Sequence, residues 1–239
     1  MDAAPAYEHH HRNVQGGAAR AAVFGVSDGL VSNVALILGV AGASPAPAVV
    51  RLAGLAGLIG GAFSMAAGEY VSMRAQTELL ERELELERIE IARRPEVERL
   101  ELAQLYVRRG IDPGVADTLA TEMMREPELA LEVHAREELG IDPSSLGSPV
   151  AASLSSFAAF SVGAAVPLAP WLFGQGAPAV VASIVLAAVA AVLVGVALAR
   201  ATDRPWPRAA GRQLLIAAAA AGVTSAVGAL VGAGGALAG

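Results

Sequence analysis

Residues 63–94 read FSMAAGEYVSMRAQTELLERELELERIEIARR, and the fold turns on this stretch. It begins in an apolar run, passes Glu69 and becomes a string of glutamates and arginines, with no glycine or proline from Glu69 to Arg94. Such a pattern predicts one helix that leaves a membrane and continues into water. Pro95 ends it and supplies the first residue of the next helix.

Four more apolar runs flank this one. Ala19–Ala43, Val49–Ser72, Pro149–Phe173, Ala177–Ala199 and Gln213–Leu237 are each long enough, at about 20 residues or more, to cross a bilayer as helix. With 54% hydrophobic residues and a mean hydropathy of +0.52, the chain is too apolar for an ordinary water-soluble domain. The first run lacks a basic leader and is followed by a second span, so it does not read as a signal peptide. The expected fold is all-α: a polytopic membrane protein with five transmembrane helices and a helical insert between spans two and three. Residues 1–18 form a polar tail, 19–72 spans one and two, 73–148 the acidic insert, and 149–239 spans three to five. The tail carries His9, His10 and His11 beside Glu8, read either as a weak metal site or as a plain polar arm. Within the insert, Gly110, Asp112-Pro113, Pro127 and Gly140 punctuate three short helices. Pro167 and Pro170 are expected to kink or end span three, and the Ala/Gly/Ser-rich spans three to five read as closely packed scaffold.

Net charge is −6, but nearly all the acid lies between Glu69 and Asp142, while Arg200, Arg204, Arg208 and Arg212 cluster after the fourth span. Loops 44–48 and 174–176 hold no basic residue. Basic loops stay in the cytoplasm, which places the N-terminus, the insert and the arginine loop there and the C-terminus opposite. There is no cysteine, which excludes disulfides, thiolate zinc sites and iron–sulfur clusters. No phosphate-cradling loop or G-x-S-x-G motif occurs, so no organic cofactor is expected. The acidic insert argues against nucleic acid. Alanine-rich, lysine-free composition points to a bacterial cell membrane.

Three groups of residues can carry chemistry. Asp28 lies within span one, where an ionisable group costs about 2.5–3.5 kcal/mol and marks an ion or proton path. In span two, Met65, Glu69 and Met73 share a face, offering a mixed soft and hard ligand stripe or ordinary packing. In the insert, Glu83, Glu87 and Glu90 share a face and Glu98 and Glu101 repeat the spacing after Pro95. Two antiparallel helices joined at Pro95 would bring Glu87/Glu90 and Glu98/Glu101 together, a carboxylate set for Fe²⁺, Mn²⁺ or Ca²⁺. The other reading is a solvated acidic face balanced by Arg82, Arg88 and Arg99. A ferroxidase of the di-iron type uses Glu-x-x-His pairs, whereas Leu131 stands three residues before His134.

The segments FGVSDGLVSNVALILGVAGA, FSMAAGEYVSMRAQTELLERELE and HAREELGIDP, with the insert between spans two and three, resemble the vacuolar iron transporter family of Fe²⁺/Mn²⁺ carriers. The resemblance runs over almost the whole chain. It implies a homodimer with a pore on the dimer interface and metal–proton exchange out of the cytosol. It also implies that the protein is a carrier and not an enzyme, a membrane-anchored ferroxidase or metal-storage protein being the rival reading. Carried over position by position, the resemblance puts the transport path at Asp28, Met65 and Glu69, and metal capture at Glu87, Glu90, Glu98, Glu101 and Glu138. Plant members have a Met-Met pair where this chain has His134 and Ala135, so an imidazole stands in place of thioether ligands. Met123, Met124 and Glu122 are further candidates outside that register.

Overall fold

The computed structural model describes residues 17–43, 46–140, 142–143 and 147–237. The histidine tail and residues 44–45 of the turn between the first two spans lie outside them. The described residues form eight α-helices and no strand: α1 (Gly17–Ala43), α2 (Pro47–Arg93), α3 (Pro95–Arg108), α4 (Pro113–Met123), α5 (Pro127–Glu137), α6 (Pro149–Phe173), α7 (Gly176–Ala201) and α8 (Trp206–Leu237). Five of them, α1, α2, α6, α7 and α8, are long and apolar enough to cross a membrane. The protein is an all-α, multi-pass membrane protein. The chain divides into two compact units, one of residues 17–73 with 148–239, the other of residues 74–147. Helix α2 contributes to both.

In the first unit, α1 packs against α6, α7 and α8. Small residues permit this. A methyl group at Gly25 would lie 2.9 Å from the Ser156 carbonyl oxygen, and one at Gly29 would collide with the Phe160 carbonyl. From the facing side, one at Gly163 would collide with the Val26 carbonyl. Such backbone-to-backbone approach suits helices in lipid, where packing replaces the hydrophobic drive. Hydroxyls and one amide add cross-helix bonds: Ser155 Oγ donates to the Ala18 carbonyl at 2.8 Å, Ser183 Oγ to that of Pro167 at 2.7 Å, and Asn33 Nδ2 to that of Ala164 at 2.7 Å.

Neither Pro167 nor Pro170 ends α6, which runs through both to Phe173, the expected end of span three, where Gly174 N–H closes on the Pro170 carbonyl. A proline removes only its own N–H from the ladder, and neighbouring helices in a membrane tolerate that loss. α8 begins at Trp206, seven residues before the apolar run at Gln213. Pro207 sits where a helix start has no use for its missing N–H, so Arg208 and Arg212 are helical and not in a loop.

In the second unit, Leu102, Ala103, Tyr106, Ala116 and Ala120 form one core and Ile91, Ala130 and Leu131 another. Asp112 caps α4, accepting from Gly114 N–H at 2.9 Å and Val115 N–H at 3.3 Å. Gly110 (φ 93°) and Gly140 (φ 66°) take the left-handed conformation that ends α3 and follows α5. The short helices are further tied by Arg99 to Asp117 and Arg109 to Glu137.

Candidate metal centre and transport path

In the insert, His134 on α5 is 1% exposed, and Glu87 on α2 and Glu98 on α3 are each 6% exposed. His134 Nδ1 lies 3.0 Å from Glu87 Oε1 and 3.4 Å from Glu138 Oε2. One ligand atom from each of Glu87, His134 and Glu138 falls within 4.8 Å of the others, a spacing suited to one metal ion. Among the described residues, Glu87 Oε1 and His134 Nε2 are buried without a hydrogen-bond partner. Leaving such groups unpaired is unfavourable, and a divalent cation would satisfy the carboxylate. Without metal, a protonated Nδ1 would face the two carboxylates in its place.

The electrostatics agree with that placeholder role. Burial pushes the His134 imidazole down, but Glu87 and Glu138 push it up by more, leaving it above its ordinary 6.5. Glu98 is raised above 4.5, first by burial, then by the charges of Glu101 and Glu87, with Glu90 adding to them and His134 opposing. Glu98 therefore lies within the field of the cluster, while Glu90 and Glu101 are exposed. Glu122 pairs with Arg125 at 2.9 Å, and Met123 Sδ accepts from Tyr106 Oη at 3.3 Å. Met124 packs against the Ile91 core.

In the membrane unit, Asp28 and Met65 line one cavity of about 270 Å³ together with Ser32, Asn33 and Ser64. Asp28 Oδ1 accepts from Ser32 Oγ at 2.9 Å. Asn33 is buried, held by its bond to Ala164, and its Oδ1 has no donor. This gives a carboxylate, hydroxyls, an amide and a thioether around one space, a mixed donor set for a borderline divalent ion. Glu69, one turn beyond Met65, is not in that lining. It pairs with Arg20 at 2.9 Å. Met73 is buried against Ala21 and Ala152, so it packs and does not face the cavity.

Sequence spacing alone did not single out Ser32 or Asn33 as cavity residues, although Ser32 lies one turn from Asp28. Arg20 as the partner of Glu69, 49 residues away, had no local signal.

A model of the VIT family matches residues 19–229 of this chain. The chain belongs to the VIT family. Among its relatives, Vacuolar iron transporter 1 of Oryza sativa subsp. japonica is 31% identical over 95% of this chain and 93% of its own length. Vacuolar iron transporter 1 of Eucalyptus grandis is 34% identical over 83% of this chain and 80% of its own. Vacuolar iron transporter of Acanthamoeba castellanii is 42% identical over 62% of this chain, a match that spans 53% of that protein. Every membrane-path and insert residue described above falls within the region matched by the family model.

Proposed function

We propose that this protein carries ferrous iron, and Mn²⁺ as a second substrate, across its membrane and out of the cytosol in exchange for protons. The observation that carries this reading is the cavity holding Asp28 and Met65 in a chain of the VIT family. The relatives, named as vacuolar iron transporters, support iron as cargo. In this reading the insert faces the cytosol and captures metal at Glu87, His134 and Glu138, with Glu98 beside them and Glu90 and Glu101 at the rim. Metal binding displaces the His134 proton, because a ligating imidazole must be neutral. In the membrane, Asp28 takes cation and proton in turn, and Met65 favours transition metals over Ca²⁺ and Mg²⁺. Glu69, held by Arg20, acts near the end of the path and not in the cavity. The working form is a homodimer in a bacterial cell membrane, with Asp28 of both copies near the pore axis.

An anaerobic proteoliposome assay tests carrier against enzyme. A carrier moves Fe²⁺ into the vesicles without oxygen, while a ferroxidase gives no flux and consumes oxygen when it is admitted.

A further inference from the structure

Arg200 closes α7, Arg204 stands in the following turn, and Arg208 and Arg212 occupy the first two turns of α8. All four are exposed, and Asp203 is the only acid among them. None of the four has a carboxylate partner among the described residues, a state shared with Arg82, Arg93, Arg94 and Arg108 of the insert. The turn itself is firmly built. Thr202 N–H bonds the Leu198 carbonyl at 3.0 Å and Arg204 N–H that of Ala199 at 2.9 Å, with Asp203 at φ 50°.

This turn borders an open, shallow hollow of about 400 Å³ with two unlike walls. Arg200 and Arg204 supply cationic edges, and Asp203 leaves them net positive. Val196 and Ala199 of α7 supply an apolar floor, and Trp206, 58% exposed, stands beside it. Because the turn joins two membrane-crossing helices, it lies at the bilayer surface. There a tryptophan sits at headgroup depth, and each nearby arginine attracts anionic lipid. A guanidinium recognises a phosphate through paired N–H donors. A soluble phosphate would use the arginines and leave Val196 and the indole without a role; an amphipathic ligand uses both walls.

We propose that the α7–α8 turn binds the headgroup of an anionic phospholipid, with the phosphate at Arg200 and Arg204 and the upper acyl chain along Val196 and Trp206. The site is independent of what the protein transports.

The indole supplies its own probe, since the other tryptophan, Trp171, is 2% exposed. Full-length protein is reconstituted in phosphatidylcholine bilayers containing either brominated phosphatidylglycerol or brominated phosphatidylcholine, and tryptophan quenching is followed against mole fraction. Phosphatidylglycerol is expected to quench at the lower mole fraction. Replacing Arg200→Gln and Arg204→Gln together should cut that preference by roughly fivefold per arginine, the equivalent of about 1 kcal/mol each. Arg108→Gln, on α3, should leave it unchanged. If the double variant does not fold, Arg204→Gln alone should lower the preference by roughly fivefold. Equal quenching by both lipids, or a preference that survives the arginine substitutions, overturns the proposal. So does a preference abolished by inorganic phosphate at matched ionic strength, which would assign the arginines to a soluble anion.

Discussion

Replacing His134 by methionine puts a thioether at this position, and the expected consequence is a change in proton release. In the metal-free protein His134 Nδ1 sits between Glu87 at 3.0 Å and Glu138 at 3.4 Å, and its pKa is raised above 6.5. At pH 6.5 the imidazole is therefore mostly protonated, and an ion entering the cluster must expel that proton. Well below the folded-state pKa, about one proton leaves per ion and the metal affinity falls about tenfold for each pH unit. Above that pKa the imidazole is already neutral and release dies away. Methionine has no proton to lose, so His134→Met should show little release and a nearly flat affinity near neutral pH. Titration calorimetry of Mn²⁺ binding, in buffers of different ionisation enthalpy, reads the proton count directly. Equal proton release by wild type and His134→Met at pH 6.5 would refute the reasoning and return His134 to a packing role.

Three further outcomes follow from the same geometry. Glu98, with its folded pKa raised above 4.5, stabilises the metal-free insert most when protonated, and that contribution is lost as pH rises through the raised value. Glu98→Gln should remove this pH dependence from hydrogen exchange in α3 while weakening metal capture. Gly29→Ala should lower stability by about 1–3 kcal/mol, because the new methyl meets the Phe160 carbonyl with nowhere to move. Gly222→Ala, with open space around it, should not, and thermal melting in detergent compares the two. Arg20→Gln breaks an exposed pair worth about 0–1 kcal/mol, so stability should barely change. If Glu69 serves the path, freeing it should lower the KM for metal; an unchanged KM would leave Glu69 a structural partner of Arg20.

Much of the architecture was legible because membranes enforce long apolar runs. The uninterrupted text from Glu69 to Arg94 reads as one helix, and α2 is one helix to Arg93. Pro113, Pro127 and Pro149 mark helix starts, since a proline is harmless where no N–H bond is due. The beginning of α8 was hidden because arginines break the hydropathy signal without breaking the helix. Site residues were legible in proportion to how local their signal is. Asp28 stands out as a charge in an apolar run, and Glu87 and Glu90 by helical spacing. The convergence of Glu87, His134 and Glu138 depends on how α5 packs against α2 through Ile91, Leu131 and Leu84, which no local pattern encodes. Asn33 is likewise recognisable only once the Ala164 carbonyl is known to hold it.

The central claim is that Asp28 couples metal movement to protons. Its most direct test is Fe²⁺ flux into anaerobic proteoliposomes driven by an imposed pH difference, comparing wild type with Asp28→Asn. The account predicts accumulation against the iron gradient by wild type, with concurrent proton movement, and none by Asp28→Asn, while metal binding by the insert is unchanged. Accumulation by Asp28→Asn at the wild-type rate under the same pH difference would contradict it.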